Sequence, residues 1–90
     1  MACARSEASR ELTMDRQAEV ERLGQADRHI ANAERNVTKQ RLRLDELRAD
    51  GHDTKVTEET LKGFEDTLKT LRENREVIVK TIEQIDKGLT

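Results

Sequence analysis

Leu61, Phe64, Leu68, Leu71, Arg75, Ile78, Ile82, Ile85 and Leu89 recur at alternating steps of three and four residues. That spacing is an a/d heptad held over four repeats, with Arg75 its one charged member. It limits the chain more than any other feature, because a strand needs a period of two and this segment shows none. The polar positions agree. Glu58 and Lys62, Glu65 and Lys69, Glu76 and Lys80, and Glu83 and Lys87 each stand four apart with the acid first. Each such pair adds about 0.3 kcal/mol to a helix.

An earlier segment repeats the stripe with smaller residues. Leu23, Ile30, Val37 and Leu44 lie seven apart, and Ala26, Ala33, Gln40 and Leu47 follow each by three. Upstream of Leu23 the register fails at Arg16 and Glu19. Gly24 falls on the outer face and costs roughly 1 kcal/mol of helix propensity relative to Ala. Residues 1–13 show no convincing period. They read as a poorly ordered extension or frayed first turn, with the helix beginning between Ser9 and Met14 and Met14 an alternative start of the chain.

Asp50-Gly51-His52-Asp53-Thr54 is the one strong break. Gly51 can take the left-handed conformation that ends a helix. Asp53 or Thr54 can then cap the next one, with Thr57 as a rival start. Two stripes joined by so short a loop make an antiparallel αα-hairpin. The expected fold is therefore all-α and coiled-coil-like: a helix over about 14–50, a loop over about 51–53 and a helix over about 54–88. Pairing residues whose numbers add to between 101 and 108 keeps stripe on stripe. Several registers satisfy that condition.

Composition supports this shape and excludes others. Of the 90 residues, 40% are charged and 33% hydrophobic, Phe64 is the sole aromatic, and there is no proline. Too few large apolar groups are present to fill an α/β or sandwich core. The absence of proline favours long uninterrupted helices. The net charge is −2, with 10 basic and 10 acidic groups in residues 1–50 and 7 and 9 in residues 51–90. Neither half attracts nucleic acid or an anionic membrane by bulk charge. Cys3 is the only cysteine and reads as an incidental thiol. Met1–Arg10 carry no apolar run of the secretory kind, and no stretch approaches 18 apolar residues. The expected location is the cytoplasm.

Two helices bury one seam, and the open end of the hairpin carries more apolar residues than one seam uses. Val77, Ile78, Val79, Ile82 and Ile85 crowd there, opposite Leu12, Val20 and Leu23. The expectation is a homotypic interface built on Leu23, Val77, Ile78, Val79, Ile82 and Ile85, joining two hairpins into a four-helix bundle. The other reading has the N-terminal residues fold back and cover this end within one chain. Arg75 is expected to bury its stem and reach Asp27 or Glu34, or else to set register, and Gln40 is read similarly.

No constellation for chemistry stands out. His29 and His52 are too far apart to share a metal, and His52-Asp53 would need ligands from another chain. The loop residues Gly51, His52 and Asp53 read as turn chemistry, and no metal or cofactor is expected. There is no nucleophile beside a base and no glycine-rich phosphate loop, so catalysis is not expected. Arg35, Lys39, Arg41, Arg43 and Arg48 form the densest basic stretch, interrupted by Glu34, Asp45 and Glu46. It reads as a solvated face, with Leu42 a lone apolar group on the outer side.

Asp27-Arg28-His29-Ile30-Ala31 with Glu34, Gln40-Arg41 and Leu47, then Asp50-Gly51-His52-Asp53-Thr54, then Leu61 with Phe64-Glu65, Leu68, Arg72 and Arg75 resemble a group of short α-proteobacterial helical proteins. These share an E-R-H-V-A type start, a Q-R pair, a D-G-H-D-T loop and an L-x-x-F-E segment. The likeness covers roughly residues 17–80, with Asp27 where the group usually has Glu. It implies a bacterial cytosolic setting and brings no assigned activity. The functional expectation is a non-enzymatic self-association or protein-interaction module. Its partner would be a second copy, with another helical protein also possible. The alternative is a small nucleic-acid-associated regulator using the Arg35–Arg48 face.

Overall fold

A computed structural model describes the backbone of residues 2–88 and the side chains of residues 16–88. Helix α1 spans Ala2–Ala49 and helix α2 spans Lys55–Asp86, packed against each other as a hairpin. The described residues contain no strand. The 48 residues of α1 rise about 72 Å at 1.5 Å each, which accounts for the 74 Å long axis. The other two extents are 17 and 15 Å, the thickness of a helix pair.

Helix α1 is continuous from Ala2, where the sequence set its start between Ser9 and Met14. The physical reason is propensity. Ala2, Ala4, Ala8, Glu7, Glu11 and Leu12 are good helix formers, and neither Gly nor Pro interrupts them. Lacking an apolar stripe, the segment has no face to bury, but it needs none to continue a helix already nucleated downstream. The helix runs on past the open end instead of doubling back over it. The side chain of Leu12, and Leu89 altogether, lie outside the described residues.

Local chemistry fixes the turn. Gly51 sits at φ +71°, past the end of α1. The His52 N–H donates to Leu47 O at 2.9 Å and the Gly51 N–H to Arg48 O at 3.2 Å. These two bonds are the Schellman closure, which satisfies carbonyls the helix would leave open. On the far side, Asp53 Oδ1 accepts from the Lys55 N–H at 3.0 Å. Of the rival caps, Asp53 therefore bonds the helix backbone. Thr54 instead donates its hydroxyl to Glu58 Oε1 at 3.2 Å, and Thr57 lies inside α2. The second helix ends two residues earlier than expected, where Gly88 at φ +72° donates to Ile85 O at 3.0 Å.

Both heptad stripes face the seam. Ala33, Val37, Leu44 and Leu68 are buried, and Ile30, Leu61, Phe64 and Leu71 pack against the cluster of Ala33, Val37 and Leu68. Leu23, Ala26, Gln40, Leu47, Arg75, Ile78, Ile82 and Ile85 are half-buried along the same two stripes. Among the described residues no large side chain is wholly shut from solvent, since each helix covers only one side of the other.

Ion pairs between the helices select the register. Arg16 with Asp86 and Asp27 with Arg75 have numbers adding to 102. Glu34 with Arg72, Arg41 with Glu65 and Arg48 with Glu58 add to 106. Both values fall inside the window set by the apolar stripes.

Candidate functional site

The six residues expected to form one interface do not share a face. Leu23, Ile78, Ile82 and Ile85 are half-buried on the α1–α2 seam, and Val79 is half-buried beside it. Val77 is 63% exposed. Val77 and Val79 are two residues apart and so point about 200° apart around α2. The open end is thus mostly hairpin core, with Val77 and Val20 left outward.

The two flanks of the seam differ in chemistry. With Leu61 and Leu68 at heptad position a, the e positions of the two helices meet along one flank. There Arg48 faces Glu58 at 3.3 Å, Arg41 faces Glu65 at 3.3 Å and Arg72 faces Glu34 at 3.9 Å. Alongside them runs an open groove of about 400 Å³, touched by Val37, Leu68, Lys69 and Glu76. Its two arginines are paired, Arg41 with Glu65 and Arg72 with Glu34, and the groove is open rather than enclosed, unlike a substrate cavity.

Arg75 reaches out of the seam, and its Nε donates to Asp27 Oδ1 at 2.6 Å. Asp27 is one of the two carboxylates expected for it; Glu34 pairs with Arg72 instead. At the open end Arg16 Nε donates to Asp86 Oδ1 at 2.7 Å. That hydrogen bond, with the attraction of the guanidinium, holds the Asp86 carboxyl below the usual carboxylate range.

The basic stretch is largely compensated. Arg41 and Arg48 face carboxylates of α2, and Arg43 faces Glu46 at 3.7 Å within α1. His29 is exposed on α1, and His52 is exposed in the loop beside Gly51 and Asp53. Among the described residues no group of three or more His, Cys, Asp or Glu converges as a metal site would require. Nor is any described helix long and apolar enough to cross a membrane.

The opposite flank holds a feature that apolar periodicity misses. Positions c and g of α2 carry Val56, Thr60, Gly63, Thr67, Thr70, Asn74, Val77, Thr81 and Gln84. None is charged, although Lys55–Asp86 contains fourteen charged residues. All but Thr81, which is half-buried, are exposed, with Val56 at 74%. Thr60, Thr70 and Thr81 donate their hydroxyls to Val56 O, Asp66 O and Val77 O within the helix, at 2.9, 3.1 and 2.9 Å. Those hydroxyls are satisfied without an outside partner. The signal that finds this face is the placement of charge, since Thr, Gly and Asn carry little hydropathy.

No protein-family model, curated protein or solved structure matches the chain.

Proposed function

We propose that this protein is a non-enzymatic helical interaction module whose hairpin associates with a second copy of itself. The observation that carries the reading is exposed surface. The chain exposes 7094 Å², against about 5,400 Å² for a compact monomer of 10.3 kDa. Its radius of gyration is 20.5 Å, against about 12 Å for a compact domain of 90 residues. A lone rod of this kind leaves Val20, Val56 and Val77 in water, and a partner along its length would cover part of that excess.

Absolute mass in solution tests this reading. Light scattering from about 10 µM to about 1 mM should show the mass rising from 10.3 kDa towards twice that value. A mass fixed at 10.3 kDa throughout, with full helicity by circular dichroism, would overturn self-association and leave a helical protein of another kind as the partner.

A further inference from the structure

Resting on that reading, we infer that the charge-free face of α2, Val56 to Gln84, receives the same face of a second copy running antiparallel to it. Three observations on this helix converge.

The first is spacing. The c and g residues repeat at alternating steps of four and three from Val56 to Gln84, just as the hairpin seam does. At 100° per residue the two stripes lie about 110° apart around the helix. That is close to the angle between the two neighbours of one helix in a four-helix bundle. One stripe is occupied by α1, while the other is exposed.

The second is where charge is excluded. Of positions b, e and f in Lys55–Asp86, only Val79 is uncharged. A helix that merely faced water would have no reason to clear c and g of charge so completely; removal of charge from a buried centre is the compositional mark of an interface. The α1 side of the same flank carries Arg22 and Arg43. Each is paired within its own helix, to Glu19 at 2.6 Å and to Glu46 at 3.7 Å.

The third is self-complementarity, which identifies the occupant and its direction. Position f borders the free face and reads Glu59, Asp66, Glu73, Lys80 and Lys87. Its first half is acidic and its end basic. Antiparallel pairing sets Glu59 against Lys87 of the partner subunit and Asp66 against Lys80 of the partner subunit, each twice by symmetry. One like-charge contact, Glu73 with its own copy, falls at the twofold axis. Parallel pairing would set the f residues against the d flank of the partner, Phe64 to Ile85, which offers them no opposite charge. The same antiparallel alignment brings Thr67 to Val77 of the partner subunit and Phe64 near Ile85 of the partner subunit. The strip is about 42 Å long and about 10 Å wide, roughly 420 Å² per hairpin. An interface of that size gives reversible rather than obligate pairing.

A charge-swap experiment on the full chain tests both orientation and face. One variant carries Lys80→Glu and Lys87→Glu, and the other carries Glu59→Lys and Asp66→Lys. All four positions are exposed and outside the hairpin seam, so every variant should stay helical by circular dichroism, although Asp66→Lys removes the exposed Lys62–Asp66 pair. Each variant alone should dimerise at least tenfold more weakly in sedimentation equilibrium. An equimolar mixture should regain parent-like association as a mixed dimer. A third variant, Thr67→Lys with Val77→Lys, should lose dimerisation while staying helical. If the parent dimerises and all variants dimerise equally well, this face is wrong while self-association stands. If the parent stays monomeric, self-association fails and this inference fails with it.

Discussion

Leu68 and Leu42 show how little one side chain's hydropathy says about its role here. Leu68 is buried against Ala33 and Val37, whereas Leu42 is 58% exposed on the outer side of α1. Leu68→Ala should cost about 2–4 kcal/mol, the transfer loss plus an incompletely collapsed cavity. Leu42→Ala should stay within about 0.5 kcal/mol of the parent. Urea unfolding followed by circular dichroism at one fixed protein concentration checks both, and equal effects would mean that the seam is misplaced. Arg75 makes a similar point. It holds a core position, yet its partner is Asp27 at the rim, with side chains 40% and 53% exposed. Pairs so open to solvent contribute about 0–1 kcal/mol, so Arg75 speaks for register more than for stability.

Along the helices, ion pairs settle what apolar stripes leave open. The Arg16–Asp86 pair joins the end of α2 to α1 and depends on the Asp86 carboxylate being charged. Its folded pKa is depressed, so its contribution is complete above the unfolded value of about 3.9 and is lost as pH falls through the lowered value. Both groups are exposed to solvent, so the effect is local. A carboxyl titration by NMR should find Asp86 below the ordinary range, and Arg16→Ala should return it there. An unchanged Asp86 titration in that variant would remove the pair as the cause. This pair also shows what was legible in the sequence. Every seam position from Leu23 to Leu47 and from Leu61 to Ile85 is buried or half-buried, because a 3-4 spacing admits only one face. The Gly51 turn was equally legible, since few residues tolerate its φ. Register was legible only as a window, because sliding one heptad keeps Leu on Leu; Arg16, Asp27, Arg41 and Arg48 narrow it through their partners. The start of α1 was hidden, because Ala2–Thr13 form a helix without an apolar face to announce it. The free face of α2 was hidden too, because Thr60, Gly63, Thr67 and Asn74 look neutral one at a time. Only the clustering of Lys and Glu on the other positions exposes it.

For the whole molecule, antiparallel pairing makes a prediction about length that mass alone does not. In the observed register Glu73, at the centre of the free face, lies level with about residue 31 of α1. That point is about 44 Å from the Ala2 end of the rod and about 30 Å from the loop end. Because the centre is off the midpoint, a twofold through it makes the two α1 overhangs protrude at opposite ends. The dimer should then be about 87 Å long, against 74 Å for the single hairpin. Parallel pairing in register would double the cross-section and leave the length near that of one hairpin. Small-angle scattering across the concentration series used for mass separates the cases. A maximum dimension that grows by about 13 Å as the mass doubles supports the antiparallel face-to-face arrangement. Doubling of mass at constant length would keep the dimer and reject its direction. In the antiparallel case the two Gly51 loops point in opposite directions, each set back about 14 Å from the tip formed by the other copy's α1, so each turn sits beside an α1 overhang and not at a bare end of the rod.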